Sequence, residues 1–315
     1  MGDEHRSGLD LADYKRLTGF EGDWRDTWWD EDFLGLMAGV LALGWVRQAL
    51  DLGCGVGHWG QRWAPYLHES AELTGVDAEA AWLEKASQRA ARRGIRARYQ
   101  VADVMALPFD DATFDLVTCQ TVLMHVADPG RAVAEALRVL RPGGLFLAAE
   151  PNNLADTAAD LVRRPVAPWP VMRDLLELEY HCALGKRALG QGWPCVGEDL
   201  PELLRQAGFQ GVQVRNNSQC APITPPYDRA AQELDMRREA LAGGGAPHGG
   251  GTRENSLAMF LAGGGAAERF EALWQVARQR TQTVLEAVES GTAAGAGGHL
   301  HYLIWSRKPG ARLSS

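Results

Sequence analysis

No C-x-x-C pair occurs among the five cysteines of this chain, Cys54, Cys119, Cys182, Cys195 and Cys220. The spacing of the last three fits no zinc pattern, so neither a metal centre nor a disulfide framework is expected, and a reduced, cytoplasmic protein is. Long apolar runs are missing too. The longest candidate, residues 33–46, has 14 residues; it is too short for a bilayer and reads as a buried helix, so no membrane partner is expected. The opening residues are polar and acidic, unlike a signal peptide. Basic charge is scarce, with 32 Lys and Arg against 40 Asp and Glu and a net charge of −8. That weighs against nucleic acid, whose phosphates demand basic surface. Residues 1–32 hold ten acids and four bases, the pattern of a solvated acidic arm. No internal repeat is visible, and nothing in the sequence sets an oligomeric state.

What the chain does have is an ordinary globular composition, 46% hydrophobic and 23% charged over 315 residues, enough for one large domain or a domain with a cap. One stretch organises it: Ala49-Leu50-Asp51-Leu52-Gly53-Cys54-Gly55-Val56-Gly57-His58-Trp59-Gly60. Apolar residues lead into an acid, glycines follow, and then a helical run begins. This is a strand ending in a tight turn that opens a helix. Glycine admits positive φ and lets a ligand approach without a Cβ in the way. Through Gly55, Gly57 and Gly60 the string also satisfies G-x-G-x-x-G, so a dinucleotide site must be weighed.

From residue 46 strands and helices alternate. Strands are expected at 46–51, 72–76, 95–101, 114–118 and 145–149, and helices at 58–67, 78–93 and 129–140, with residues 141–144 forming a turn. Such alternation implies a parallel α/β sheet covered on both faces, a doubly wound Rossmann-like fold. After Pro151 helices are expected at 154–163, 170–184, 197–207, 228–241, 254–262 and 266–289, and strands at 209–215 and 300–307. The glycine-rich stretches 243–251 and 291–298 read as surface loops.

Three acids fall at strand ends, Asp51, Asp77 and Asp103, each 26 residues after the last. In a doubly wound sheet the carboxyl ends of the strands share one edge, where ligands bind. The three carboxylates should therefore converge on one ligand. Asp51 sits two residues before the first glycine, an awkward place for a pyrophosphate and a good one for a cation. This disfavours a nicotinamide dinucleotide.

The ordered set Leu50-Asp51-Leu-Gly53-Cys-Gly55-Val-Gly57, Gly75-Val-Asp77, Ala102-Asp103-Val104, Phe114-Asp115-Leu-Val and Leu140-Arg-Pro-Gly143-Gly144 resembles the core of class I S-adenosylmethionine-dependent methyltransferases, of the type 11-like group. It covers about a third of the chain, residues 46–150. The resemblance implies a seven-stranded sheet whose last strand is antiparallel, S-adenosyl-L-methionine as cofactor and S-adenosyl-L-homocysteine as product. Gly53, Gly55 and Gly57 would admit the methionine part of the cofactor and Asp51 its amino group. Asp77, with Ala78 beside it, would take the ribose hydroxyls. Asp103 would take the adenine amine, with Val104 near the ring. Gln120 and Thr121 would lie beside the methionine and sulfonium, and His125 falls in the same segment.

Around this core, residues 1–45, 151–196 and 216–298 read as cap segments, and 197–215 and 299–315 as the remaining core. The function expected of the whole chain is in-line transfer of a methyl group to an O or N atom of a small organic molecule. Methylation of a peptide or protein is the alternative, and a SAM-binding regulator without turnover a second. Where a base is needed, His125 and Glu150 are the candidates. Tyr14, Trp28, Trp29, His181 and Tyr227 are candidate substrate contacts.

Overall fold

The computed structural model describes residues 24–217, 220–228, 237–238, 241–242, 252–297 and 300–310; Tyr14 and most of the expected helix 228–241 lie outside them. Nine strands are described: β1 Gln48–Leu52, β2 Glu72–Asp77, β3 Ala97–Val101, β4 Phe114–Gln120, β5 Leu140–Pro151, β6 Gln210–Asn216, β7 Ala221–Ile223, β8 Gly295–Gly297 and β9 His301–Arg307. The described helices are α1 Glu31–Leu41, α2 His58–Trp63, α3 Ala80–Arg92, α4 Pro129–Val139, α5 Asn153–Leu161, α6 Trp169–Ala188, α7 Val196–Ala207, α8 Arg253–Ala262 and α9 Ala267–Glu289. The chain forms two compact units. No helix among the described residues is long and apolar enough to cross a membrane.

The first unit comprises the described parts of 20–151, 196–218 and 301–315. It holds a seven-stranded sheet of order β3-β2-β1-β4-β5-β9-β6. The first five strands are parallel, and β9 runs antiparallel to both neighbours. The fold class expected from the sequence is therefore the one found, including 209–215 and 300–307 as the closing pair. The central β4 is buried at every position, and the edge strand β6 is exposed at nearly all, as the pairing order requires.

Alternation along β5 divides the core. Leu145, Leu147 and Ala149 join a cluster with Trp29, Leu34, Met37, Trp59 and Trp63 on one face. On the other, Phe146 meets Phe209 at 5.5 Å between rings, and α4 and α7 pack against β5. The expected turn at 141–144 lies within β5, at the register shift between the Phe114–Leu140 and Leu116–Leu145 pairings with β4. Asp115 explains the local order there. Its Oδ2 accepts the N–H groups of Arg47 and Gln48, both at 2.9 Å, and its Oδ1 meets the Arg141 guanidinium at 2.6 Å. One buried carboxylate thus ties the starts of three strands together.

The second unit comprises the described parts of 152–195 and 219–300. Its core gathers Leu161, Leu175, Leu178, Phe260, Phe270 and Trp274 from α5, α6, α8 and α9. Residues 295–297, expected in a loop, are the strand β8 and pair with β7.

Candidate functional site

The turn after β1 needs its glycines. Gly53, Gly55 and Gly57 have φ of 55°, 51° and 84°, a region that side chains strongly disfavour. A Cβ on Gly53 would stand 2.6 Å from Val122 Cγ2. Asp77, ending β2, accepts the Gly55 N–H at 2.8 Å through Oδ2 and the Glu79 N–H at 2.9 Å through Oδ1. It thus fixes the turn while keeping acceptor capacity, because a carboxylate has about four lone-pair sites. Burial raises its pKa, against the pull of those hydrogen bonds.

Asp51 is 1% exposed. Its Oδ2 accepts the N–H of Gly60 at 2.9 Å, while its Oδ1 is buried with no partner. Burial pushes its pKa up to about 7; the Gly60 hydrogen bond opposes this and the nearby Asp77 adds to it. An acid in this condition suits a cation.

Gly60, which the sequence reading used only to complete the G-x-G-x-x-G match, is required here by its closeness to Asp51. A Cβ there would lie 2.7 Å from Asp51 Oδ2. Beneath the turn, Gln61 Nε2 donates to the Tyr99 hydroxyl at 2.8 Å, and a Cβ on Gly75 would strike the Tyr99 ring at 2.4 Å. Gly75 is therefore a packing requirement, and Gln61 and Tyr99 are supports with no motif to announce them.

Beyond β4, Gln120 is buried with Nε2 unpartnered. Thr121 takes φ of 53°, unusual for a β-branched residue, and is held by its N–H to the Ala149 carbonyl at 2.9 Å and its hydroxyl to the Gln120 carbonyl at 2.7 Å. Glu150 is 0% exposed. Its Oε1 accepts the N–H groups of Val122 and Leu123, both at 3.0 Å, and Oε2 that of Met124 at 3.4 Å. The Cys119 thiol also donates to Oε1. Burial pushes the Glu150 pKa up to about 7 against these bonds. Its geometry is that of a clamp on the turn carrying Val122 and His125. His125 itself is half-buried at the end of that turn.

Asp103 and Val104 lie on the loop after β3. Asp103 is exposed, with Oδ1 accepting the Met105 N–H at 2.8 Å, and Val104 is half-buried. Ala78 is exposed next to Asp77.

Candidate substrate residues are less concentrated. Trp29 is 4% exposed and packs on Trp59, with ring centres 5.2 Å apart, so it is core rather than pocket wall. Trp28 is half-buried, 5.3 Å from the His301 ring and beneath the Arg25 guanidinium. In the second unit, His181 bonds the Gly263 carbonyl at 2.9 Å and packs on Phe260. Tyr227 is buried, its hydroxyl donating to the Ala293 carbonyl at 3.1 Å. Both are accounted for by packing.

One segment read as a solvated acidic arm is drawn inward. Asp26 accepts from the Arg89 guanidinium and lies 3.2 Å from His58 Nδ1 and 3.5 Å from Arg93. Burial alone would raise the Asp26 pKa; the hydrogen bond from His58 and the charge of Arg89 outweigh it and hold the carboxyl below its usual range. Burial lowers the His58 pKa, against the pull of its hydrogen bond with Asp26.

A glycine turn, a half-filled acid beside it and a second strand-end acid, on a sheet with an antiparallel seventh strand, define a class I methyltransferase. Residues 50–148 match the methyltransferase domain family, and the chain belongs to it. It is 33% identical over 214 residues to the 27-O-demethylrifamycin SV methyltransferase of Amycolatopsis mediterranei, covering 65% of this chain and 69% of that protein. It is 37% identical over 115 residues to the uncharacterized methyltransferase YcgJ of Bacillus subtilis, covering 36% of this chain and 44% of that one, so the match spans less than half the length of that relative. The fold is similar to that of a solved protein of Bacillus halodurans C-125 assigned as a methyltransferase, with a TM-score of 0.50 and 19% identity over 89% of this chain and 99% of that chain.

The residues present fit the family's cofactor. The buried, unpartnered Asp51 Oδ1 suits an ammonium group, and the unpartnered Gln120 Nε2 suits an acceptor such as a carboxylate.

Proposed function

We propose that this protein transfers a methyl group from S-adenosyl-L-methionine to an O or N atom of a small organic molecule and releases S-adenosyl-L-homocysteine. The observation that carries this reading is the half-filled Asp51 beside the positive-φ glycine turn. The rifamycin relative, named for a methylation at oxygen on a small molecule, supports it. A cytoplasmic location, suggested by five cysteines that form no disulfide with one another, belongs to the same proposal.

When bound, the cofactor supplies an electrophilic methyl group on a sulfonium. Asp51 Oδ1 would receive its ammonium, and Gly53, Gly55 and Gly57 would let its methionine part lie against the backbone. Asp77 would accept the ribose hydroxyls with its remaining lone pairs. Asp103 Oδ2 and Val104 would meet the adenine, while Gln120 and Thr121 would border the methionine. His125 is the proposed base where the acceptor must lose a proton, and Glu150 holds its turn in place. Orientation is the protein's main contribution, since an aligned donor and acceptor remove much of the entropic barrier.

Calorimetry with S-adenosyl-L-homocysteine on the wild type, Asp51→Asn and Asp77→Ala tests the site. Labelled methyl transfer into a metabolite extract, compared with a protein extract, tests the acceptor. Binding lost in both variants and label in metabolites support the proposal. Label in protein would favour a peptide acceptor, and binding without transfer a regulator. No binding by the wild type overturns it.

A further inference from the structure

The glycine turn runs into a helix too short to hold itself. α2 has six residues, and Gly57, its N-cap, brings no side chain to bond the first N–H groups. A helix of that length is not stable alone, so its place is set by what packs on it. That place matters, because the Gly60 N–H of α2 fixes Asp51 Oδ2. Further along α2, Trp59 donates to the Thr118 hydroxyl at 2.6 Å and Gln61 to that of Tyr99 at 2.8 Å. Its first residue is held by Asp26, from the segment Trp24–Trp28.

The Asp26 carboxylate gives one oxygen to each of two helices. Oδ1 accepts at 3.2 Å from Nδ1 of His58, the residue directly after Gly57. Oδ2 accepts from the Arg89 guanidinium of α3 and lies 3.5 Å from that of Arg93, at the end of the same helix. The side chains of His58 and Arg89 are 6% and 7% exposed, so water does not readily stand in for the carboxylate. These two helices follow the two strands that carry Asp51 and Asp77. Three residues on, Trp29 continues the grip: its ring packs on Trp59, and its carbonyl accepts from Arg62 at 3.1 Å.

We propose, on the methyltransferase reading above, that Asp26 is a positioning residue of the cofactor site: through His58 it seats the first turn of α2, and so the Gly60 N–H that orients Asp51.

Asp26→Ala is the first variant. Asp26→Asn keeps the size and drops the charge, and it carries the test where Asp26→Ala does not fold. Leu204→Ala is the control, since Leu204 is 0% exposed on α7, which packs on the other face of the sheet, and its truncation lowers stability away from α2. The readouts are S-adenosyl-L-homocysteine affinity by calorimetry and, in the unbound protein, amide hydrogen exchange of residues 53–63 against that of 145–151. The role is upheld when the Asp26 variant binds at least about tenfold more weakly, the worth of one hydrogen bond to a charged group, and exchanges faster at 53–63 with 145–151 unchanged, while Leu204→Ala binds as the wild type does. It is overturned when the Asp26 variant binds as tightly as the wild type, or when its 53–63 exchange rises no more, relative to 145–151, than in Leu204→Ala. A wild type that binds no S-adenosyl-L-homocysteine overturns the methyltransferase reading and this role with it, which sets that failure apart from a failure of Asp26 alone.

Discussion

Replacing Gly60 with alanine sets two effects against each other, and the structure says which wins. Gly60 lies inside α2, where alanine is better than glycine by up to about 1 kcal/mol. Against this, the new Cβ would meet Asp51 Oδ2 at 2.7 Å and Asp51 Cβ and Cγ at 2.9 Å. Neighbours this buried have no room to yield, and overpacking costs about 1–3 kcal/mol. Moving Asp51 also breaks the 2.9 Å bond from the Gly60 N–H, a hydrogen bond to a charged group worth about 1.5–3 kcal/mol. The expected net loss is about 2–5 kcal/mol, with S-adenosyl-L-homocysteine affinity down at least about tenfold because Oδ1 moves with the rest of the carboxylate. The urea midpoint and calorimetry measure both. Gly39→Ala is the control: it sits exposed in α1 with nothing within 4 Å of its Cβ, and should stabilise by about 0.5–1 kcal/mol. If Gly60→Ala stabilises as Gly39→Ala does and leaves affinity intact, the coupling between this helix and Asp51 is refuted.

Four other outcomes follow. The Asp51 pKa of about 7 in the folded protein exceeds the ordinary aspartate value, so the folded state holds a proton that the unfolded chain has already lost. Apo stability should therefore fall as pH rises from about 4 to about 7, by on the order of 4 kcal/mol, and Asp51→Asn should remove most of that slope in pH-dependent urea melts. Because a protonated Asp51 cannot hold a cation, S-adenosyl-L-homocysteine affinity should drop about tenfold per pH unit below about 7, and affinity that is flat from pH 5 to 8 would count against the role. Glu150→Gln turns an amide N–H₂ toward backbone donors and should cost about 1–3 kcal/mol, lowering kcat while keeping the shape of the pH–rate profile; loss of the acidic limb would instead make Glu150 the base. Arg89→Met should destabilise by about 3 kcal/mol in urea melts, because it leaves Asp26 partly buried with less compensation.

The sheet was legible because its signals are local. Apolar runs, helix stops and strand-end acids each need only a few neighbouring residues to be recognised. The closing pair β6 and β9 was legible too, from alternation, despite the long segment between them. What the sequence did not show is which face a residue meets. Trp28 and Trp29 are adjacent in the chain, yet Trp29 packs on Trp59 in the core while Trp28 stays half-buried. Asp26 reads as one more acid in an acidic arm until Arg89, 63 residues later, comes to its side. Gln61 and Tyr99 hold the glycine turn from below through a contact across 38 residues, for which no spacing rule exists. Gly60 was present in the pattern, but its need arises from a side chain nine residues earlier on another element.

The two strand-end acids Asp51 and Glu150 show why burial and a raised pKa do not identify a ligand-facing group. Both carboxyls are buried, and burial pushes each to about 7. Accounting for their partners separates them. Glu150 has three backbone N–H groups and a thiol distributed over both oxygens, so its bonding is spent on the turn from Val122 to Met124. Asp51 has one N–H on one oxygen and nothing on the other. An unpaired buried oxygen costs about 1–3 kcal/mol, so a donor there is favoured. Such an oxygen beside three positive-φ glycines suits a cation, and a saturated carboxylate suits a structural clamp. The same reasoning places Asp115, with three donors, in the frame.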